Sequence, residues 1–231
     1  MLAEVTMCGR FAQAGTREEY LSLIAEESPD IPYDPVPIGR YNVAPGTKVL
    51  LLNERDGKLQ LDPVYWGYAP AWWDKPPLIN ARSETAATSR MFRPLLEHGR
   101  AVVPADGWFE WKKEDGKKQP YFIHRKDGQP IYMAAIGRAP FDHGDEHEGF
   151  MIVTAVAGNG LVDIHDRRPM VLTPAAARDW MRQRVTRQEA EDIMRDEMLP
   201  PDAFIWYPVS RMVGNIRNQG ENLIQPVQDN R

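Results

Sequence analysis

Cys8 is the only cysteine of the chain and directly follows Met7. A methionine before a small residue is a common translation start from which the methionine is then trimmed, and trimming here would leave Cys8 with a free α-amine beside its thiol. An α-amine has a pKa of about 7.7–8.0, so part of it is neutral at pH 7, and a neutral amine forms a Schiff base with an aldehyde. The neighbouring thiol can then close a five-membered thiazolidine ring, which proximity favours. The pattern predicts an aldehyde trap, and leaves open a thiolate nucleophile for amide hydrolysis or a small buried apolar residue.

Three further side chains are candidates for proton transfer or orientation around Cys8. Glu110 stands among tryptophan and phenylalanine residues, where loss of hydration would raise its pKa and suit it to carrying a proton. Strand alternation puts Glu110 opposite Phe109 and Trp111, so an outward-facing carboxylate stays equally open. His165 lies in a charged loop and can act as an acid or base near pH 7, or be a surface residue. The amide of Asn80 could hold a substrate oxygen or orient a neighbour.

Cationic and aromatic residues alternate along the predicted loops. Arginines can clamp phosphates and aromatic rings can stack on unpaired bases, so this mixture favours single-stranded nucleic acid. For the tryptophans, core packing is the alternative. The candidates for phosphate contacts are Arg10, Arg82 and Arg90, those for stacking are Trp72, Trp73 and Phe92, and those for wedging between bases are Pro45 and Met91.

Composition excludes several classes of protein. The net charge of −5 over 231 residues argues against coating nucleic acid through bulk charge, although it does not exclude a local basic groove. No apolar run approaches the roughly 20 residues of a membrane span, and residues 1–6 lack the features of a signal peptide. A single cysteine cannot form an internal disulfide, so we expect a reducing, cytoplasmic setting. His143 and His147 have i, i+4 spacing but stand in a predicted loop, so we expect no metal site.

Short strands joined by turns dominate the predicted elements, with a few helices between them. Thr16 and Glu19 form a capping box that opens a helix to about Glu27, and Thr186 and Glu189 form another before the last helix. Asp56-Gly57 is predicted to be the turn of a hairpin. The Asn80–Thr85 stretch leads into a second predicted helix, which runs through about Phe92 and is extended to Glu97. The predicted strands cover residues 48–53, 59–66, 101–104, 106–111, 121–124, 131–136, 150–156 and 169–172, and the late helices cover residues 174–183 and 187–195. This order predicts a single α+β domain, largely antiparallel, with a barrel-like sheet and peripheral helices.

Six ordered motifs together resemble the SRAP family, the SOS response-associated peptidase proteins, and in particular its bacterial members that crosslink to abasic sites in single-stranded DNA. The motifs span most of the chain, from Cys8 to about Val227. They are Met7-Cys8-Gly9-Arg10, Tyr41-Asn42-Val43-Ala44-Pro45, Trp66-Gly67 followed by Trp72-Trp73, Asn80-Ala81-Arg82-Ser83-Glu84-Thr85, Gly107-Trp108-Phe109-Glu110-Trp111 and His165-Asp166-Arg167-Arg168-Pro169.

The resemblance implies that Cys8 forms a thiazolidine with the ring-opened aldehyde of an abasic deoxyribose. It implies that Glu110 handles protons, His165 assists opening of the sugar ring, and Asn80 orients the amino terminus or the sugar. It also implies a DNA-binding cleft, no cofactor, a monomer and, in a bacterium, association with the nucleoid; the family name adds a proposed peptidase activity. The implied DNA contacts are Arg10, Asn42, Pro45, Trp72, Trp73, Arg82, Arg90, Met91 and Arg167.

The predicted organisation is a leader of residues 1–7, a domain of residues 8–227 and a tail of residues 228–231. If the leader stays attached, the Cys8 nitrogen is an amide, and neither the Schiff base nor the thiazolidine can form. Translation could start at Met7, the leader could be a cloning remnant or misplaced start, or the protein could cut itself before Cys8; we favour the first two. The alternative functions are a thiol peptidase or amidohydrolase and a non-covalent single-strand-binding module.

Overall fold

Short alternating apolar stretches separated by glycine-containing turns form most of the strands. The computed structural model describes residues 8–25, 39–141, 148–158 and 160–227. The strands are β1 Phe11–Gln13, β2 Arg40–Val43, β3 Lys48–Arg55, β4 Lys58–Tyr65, β5 Asn80–Arg82, β6 Arg100–Ala105, β7 Gly107–Glu114, β8 Lys117–Arg125, β9 Ile131–Gly137, β10 Phe150–Val156, β11 Arg167–Pro169, β12 Val171–Leu172 and β13 Phe204–Pro208. The helices are α1 Arg17–Leu21, α2 Ser83–Ala86, α3 Arg93–His98, α4 Pro174–Met181 and α5 Arg187–Asp196.

The strands form two open sheets. The first has the order β13-β8-β7-β1-β2, and the second has the order β11-β10-β9-β6-β3-β4, with β12 added to β9 and β5 added to β10. The named strands pair antiparallel except β5, which runs parallel to β10. The predicted α+β class and antiparallel pairing are therefore confirmed, whereas the barrel-like sheet is corrected to two sheets that do not close. None of the helices in the described ranges is both long and apolar enough to cross a membrane.

Successive side chains of the second sheet point to its two faces, and both faces are buried against other parts of the chain. Leu51 faces a core between the two sheets, which Trp108 of the first sheet also enters. Leu52 faces a second core under the helices, which contains Trp180 of α4. Full burial of one such apolar side chain contributes about 1.5–3 kcal/mol. These two cores fix the first sheet, the second sheet and the helices as three successive layers.

The outer face of the first sheet is covered by the C-terminal segment, residues 209–227. Phe109 and Phe122 pack there with Val213 and Leu223. Strand β7 is therefore covered on both faces, and Glu110, which alternates with Phe109, faces the core between the sheets and is 3% exposed. The hypothesis that Glu110 is an outward-facing polar residue is wrong.

Helix termini follow the predicted capping chemistry, whereas the continuous helix predicted to follow the Asn80–Thr85 stretch as far as Glu97 is wrong. The capping boxes at Thr16 and Thr186 are present. After β5, the short helix α2 ends at Ala86, and α3 begins only at Arg93 with Pro94 in its first turn. A continuous helix would need a backbone N–H at Pro94 to donate to the preceding turn, and proline has none, so the helix can only restart there.

The predicted strand over residues 169–172 is divided at Met170. Strand β11 pairs with β10, whereas β12 pairs with β9. The N–H of Met170 donates to the carbonyl of Val153, and its carbonyl accepts from Ala134. The chain therefore changes its neighbour at this residue. Residues 26 and 27, at the predicted end of the first helix, lie outside the described residues.

Candidate active site

Cys8 lies immediately before β1 and faces the core between the sheets, where it is 1% exposed. Strand β1 is fixed there by antiparallel pairing of Phe11 with Trp108 on β7 and with Val43 on β2. Cys8 has a φ of 42°, in the left-handed region. For a residue with a side chain this conformation costs about 1–2 kcal/mol, and such costs concentrate at functional sites. The neighbouring sheet therefore holds Cys8 in a conformation that the residue would not adopt alone.

The backbone N–H of Cys8 donates a hydrogen bond to the Glu110 carboxylate. Burial raises the pKa of Glu110 well above its usual value, and the negative charge of Asp166 raises it further, while the Cys8 N–H acts in the opposite direction. Within the described part of the chain, Oε1 of Glu110 is buried without a hydrogen-bond partner. An acid in this environment keeps its proton to a higher pH than an exposed glutamate does.

The thiol of Cys8 shares this environment. Burial raises its pKa well above the ordinary value, and the carboxylate of Glu110 adds to the effect. Only the thiolate is strongly nucleophilic, and a raised pKa leaves little thiolate at neutral pH. The structure therefore holds the sulfur as a neutral thiol.

His165 lies in the loop before β11, with a side chain that is 12% exposed. Its Nδ1 accepts a hydrogen bond from the backbone N–H of Arg167 at 3.0 Å. When Nδ1 accepts, the proton of the neutral imidazole is on Nε2. This ring can therefore present a proton donor at Nε2 towards a bound group.

The guanidinium of Arg167 crosses strand β10 to reach Glu84. Strands β5 and β11 both pair with β10 at Thr154, on its two opposite edges. Nη2 of Arg167 donates to Oε2 of Glu84 at 2.9 Å and to the carbonyl of Thr154 at 2.7 Å, and Nη1 pairs with Oε1 of Glu84. This bidentate pair ties the loop of His165 to the segment that begins with Asn80. The contact of Arg167 with DNA stays a prediction. The Arg167 side chain already binds Glu84 and Thr154 in this structure.

Asn42 is 2% exposed and has a structural role around Arg10. Its Oδ1 accepts from Nη1 of Arg10 at 2.7 Å, and the same Nη1 donates to the carbonyl of Val213 at 2.7 Å. Its Nδ2 donates to three backbone carbonyls of the C-terminal segment, those of Val213, Asn215 and Asn218. Asn42 therefore positions Arg10, whose guanidinium lies 5.7 Å from the centre of the Trp111 ring.

The other predicted DNA contacts lie in or near loops and differ in exposure. Trp72 is 68% exposed and makes an edge-to-face contact with the partly buried Trp73, with ring centroids 6.0 Å apart. Lys75 lies over the Trp73 ring, 5.6 Å from its centre. Arg82 and Arg90 are exposed, whereas Pro45 and Met91 are half-buried. Met91 packs against the core under the helices.

The structure brings Cys8, Glu110 and the loop of His165 into one site, through the hydrogen bond from Cys8 and the effect of Asp166 on Glu110. Asn80 is half-buried at the start of β5, and its neighbour Ile79 packs against the same core as Cys8. Among the described residues no group of three or more histidine, cysteine or acidic side chains could hold a metal. His143 and His147 lie outside those residues.

Sequence reasoning missed two residues of this site. Glu84 and Asp166 stand inside motifs that the sequence displays, but neither was identified as a site residue. The partner of Glu84 is 83 positions away along the chain, so only the register of β5 and β11 on β10 reveals the pair. Asp166 could have been suspected because it directly follows His165, but an acidic residue next to a histidine is common in surface loops.

The chain is similar in sequence and in fold to known proteins. A family model described as SOS response associated peptidase (SRAP) matches residues 7–216. The chain is 71% identical over 222 residues to the abasic site processing protein YedK of Escherichia coli, covering 96% of this chain and all of that protein. It is 29% identical to the abasic site processing protein YoaM of Bacillus subtilis, over 94% and 97% of the two chains. A crystal structure of a phage-related protein from Bordetella bronchiseptica superposes with a TM-score of 0.76 and 37% identity, over 88% and 95% of the two chains. The chain belongs to the SRAP family.

Proposed function

We propose that this protein acts on abasic sites in single-stranded DNA and forms a covalent thiazolidine through Cys8. The observation that carries the proposal is the contact between the Cys8 nitrogen and the buried carboxyl of Glu110. This contact sets the future amine against an acid whose pKa is raised by burial, so that the acid can hold a proton and transfer it. The relatives named above are called abasic site processing proteins, which supports an abasic site as the substrate of this protein.

The chemistry balances without a redox partner. The free amine of Cys8 attacks the C1′ aldehyde carbon, and the resulting hydroxyl leaves as water when it receives a proton, which gives a protonated imine. The sulfur then adds to the same carbon and its proton is released, so one water is lost overall. Glu110 is positioned to take a proton from the attacking nitrogen and to return one to the leaving hydroxyl.

Before this, the closed sugar must open to expose its aldehyde. In our proposal His165 moves a proton between the C1′ hydroxyl and the ring oxygen, which breaks the bond from C1′ to the ring oxygen. The doubly protonated ring of His165 can give its Nε2 proton to that ring oxygen and take a proton back from the C1′ hydroxyl, so the ring ends in the protonation state in which it began. Asn80 orients the sugar or the amino terminus from the start of β5.

The state of the thiol favours this route over a thiol peptidase. Hydrolysis by a cysteine nucleophile needs the thiolate, and both burial and Glu110 raise the pKa of the Cys8 thiol. In the thiazolidine route the amine attacks first, and the sulfur then adds to an activated carbon within the same residue. The neutral thiol is therefore compatible with ring formation and unfavourable for attack on an amide.

We propose that the DNA strand follows the exposed loop residues and reaches Cys8 near Arg10, with one monomer acting on one lesion. Arg82 and Arg90 are exposed cations, and Trp72 offers a free ring face for a base. Cys8 must have a free amine, so the proposal includes removal of the chain through Met7. The family match, which begins at Met7, supports this boundary.

The test uses protein whose intact mass begins at Cys8 and a single-stranded oligonucleotide with one abasic site. We expect an adduct that survives denaturant and high salt, with a mass equal to protein plus DNA minus one water. A tetrahydrofuran site, which has no aldehyde, should give none. Cys8→Ala keeps the amine, so we expect an adduct only after borohydride reduction.

Two outcomes would reject the proposal. The first is a denaturant-stable adduct of equal yield with Cys8→Ala in the absence of borohydride. The second is a parent protein that binds damaged and undamaged strands alike and dissociates steeply with salt, which would identify a non-covalent binding module. Turnover of a peptide that depends on Cys8 would instead support the peptidase.

A further inference from the structure

Two groups compete for one nitrogen of His165. Nδ1 lies 3.0 Å from the backbone nitrogen of Arg167 and 3.0 Å from Oδ1 of Asp166. A ring nitrogen without a proton can accept from the Arg167 N–H, and a ring nitrogen with a proton can donate to the Asp166 carboxylate. It cannot do both at once. The two partners therefore favour two different proton arrangements of the same ring.

The two partners also differ in how firmly they are held. Arg167 pairs with Val156 in the ladder between β11 and β10, and its guanidinium is tied to Glu84. Its backbone N–H is therefore fixed. The side chain of Asp166 is 81% exposed and can turn towards His165 or away from it.

We infer that Asp166 is a positioning residue for the abasic-site reaction, because its carboxylate holds a proton on Nδ1 of His165 while the Arg167 N–H stabilises the ring without that proton. This inference rests on the proposed function, in which His165 moves a proton during opening of the sugar. When His165 takes up a proton, Asp166 stabilises the positive ring. When His165 gives the proton up, Arg167 stabilises the neutral ring, so the exchange keeps the ring in place.

The charge of Asp166 also acts on Glu110, where it adds to the effect of burial and raises the pKa of that carboxyl. Among the described residues, the Cys8 thiol in the segment before β1 also interacts electrostatically with Glu110. The residue opposite Glu110 on strand β8 is Tyr121, whose hydroxyl donates to Glu114. Asp166 is thus adjacent to one proton carrier and influences a second.

In the described part of this loop, Asp166 is the acidic residue that contacts His165. Asp163 is exposed one turn earlier in the same loop. The guanidinium of Arg167 is turned to Glu84, and that of Arg168 lies over the Phe204 ring at 5.7 Å. Removal of the Asp166 charge should therefore take away the carboxylate that accepts from Nδ1 of His165 and lower the pKa of Glu110.

The experiment compares Asp166→Asn with Asp163→Asn, a matched loss of one carboxylate from the same loop. Single-turnover crosslinking rates are measured from about pH 5 to 9 at saturating oligonucleotide. We expect the alkaline fall in rate to move down by about one pH unit in Asp166→Asn. The profile of Asp163→Asn should overlay the parent, and Asp166→Glu should restore most of the shift.

Nitrogen-15 NMR of the His165 ring gives a readout that does not depend on DNA. In the parent we expect Nδ1 to gain a proton as the pH falls, whereas in Asp166→Asn the side-chain amide donates to Nδ1 and keeps it unprotonated to a lower pH. A rate that falls equally at every pH, or an equal shift in Asp163→Asn, would overturn the inference. If the parent forms no adduct, the proposed function fails, and the ring measurement still decides the role of Asp166.

Discussion

The backbone N–H of Cys8 donates to the carboxylate of Glu110, whose second oxygen is buried without a partner in the described structure. The carboxyl of Glu110, which serves the proposed chemistry, is therefore also unfavourable to bury. Its raised pKa means that the folded protein holds a proton that the unfolded chain releases. The resulting loss of stability is absent below the unfolded pKa of about 4.3 and grows as the pH rises.

Glu110→Gln is expected to stabilise the protein and to abolish rapid crosslinking. The glutamine oxygen can still accept from Cys8, and glutamine has no proton to release when the chain unfolds, which should add roughly 1–3 kcal/mol at pH 7.5. Each 1 kcal/mol corresponds to a rise of about 2–4 °C in Tm for a chain of this size. The gain should shrink towards pH 4, as measured by thermal unfolding at both pH values. The exposed Glu221→Gln is the control, and an equal gain at both pH values would contradict the assignment.

Glu84→Ala is expected to reduce both stability and crosslinking rate by removing the partner of buried Arg167. Loss of one partner of a fully buried pair costs about 3–5 kcal/mol. Because the Glu84 side chain is 47% exposed, we expect about 1–2 kcal/mol here, measured by urea unfolding. Arg167 lowers the pKa of Glu84, so this contribution is present above the unfolded pKa and disappears as the pH falls through the lower folded value.

The control for Glu84 is Arg93→Ala, which breaks the exposed pair with Glu97 and should leave the stability close to that of the parent. Arg167→Lys should behave like Glu84→Ala, since lysine cannot form the bidentate pair. Unchanged crosslinking in Glu84→Ala at full occupancy of DNA would show that the pair does not align Asn80 with His165.

Asn42→Ala is expected to loosen the C-terminal segment from the first sheet. The amide of Asn42 donates to three carbonyls of that segment and accepts from Arg10. Their loss should cost roughly 2–4 kcal/mol. Limited proteolysis after residue 209 and urea unfolding measure the effect. Asn222→Ala, at an exposed position of the same segment, should be neutral. Resistance to protease equal to the parent would contradict this structural role.

The sequence was sufficient for features that depend on neighbouring residues. Capping boxes and the turn at Asp56-Gly57 depend on a few adjacent side chains, and they occur where the pattern predicts them. The helix predicted to follow the Asn80–Thr85 stretch as far as Glu97 is interrupted between α2 and α3. Pairing with β10 makes Asn80 part of a strand, and Pro94 allows a helix only from its own first turn.

The site could be predicted only in part, for the same physical reason. Cys8 and Glu110 were identified by residue type, position and family resemblance, but their contact depends on β1 pairing with β7. Local alternation correctly separated Glu110 from Phe109, yet it could not show that the C-terminal segment covers one face and the second sheet the other. The Glu84–Arg167 pair needs three strands in register, which no local pattern encodes.

Trp72→Ala is expected to weaken binding of single-stranded DNA and to leave the fold intact. The ring is 68% exposed and rests edge-on against Trp73, so its loss should change stability by no more than about 0.5 kcal/mol. Stacking of one base on an aromatic ring is worth about 1–3 kcal/mol, which corresponds to a loss of about 5- to 150-fold in affinity. The crosslinking rate at saturating oligonucleotide should stay near the parent value, because Trp72 does not touch the reacting atoms. Fluorescence anisotropy measures the affinity, and Leu23→Ala, which also shortens an exposed apolar side chain, is the control. Equal affinities for Trp72→Ala and Leu23→Ala would remove Trp72 from the DNA path.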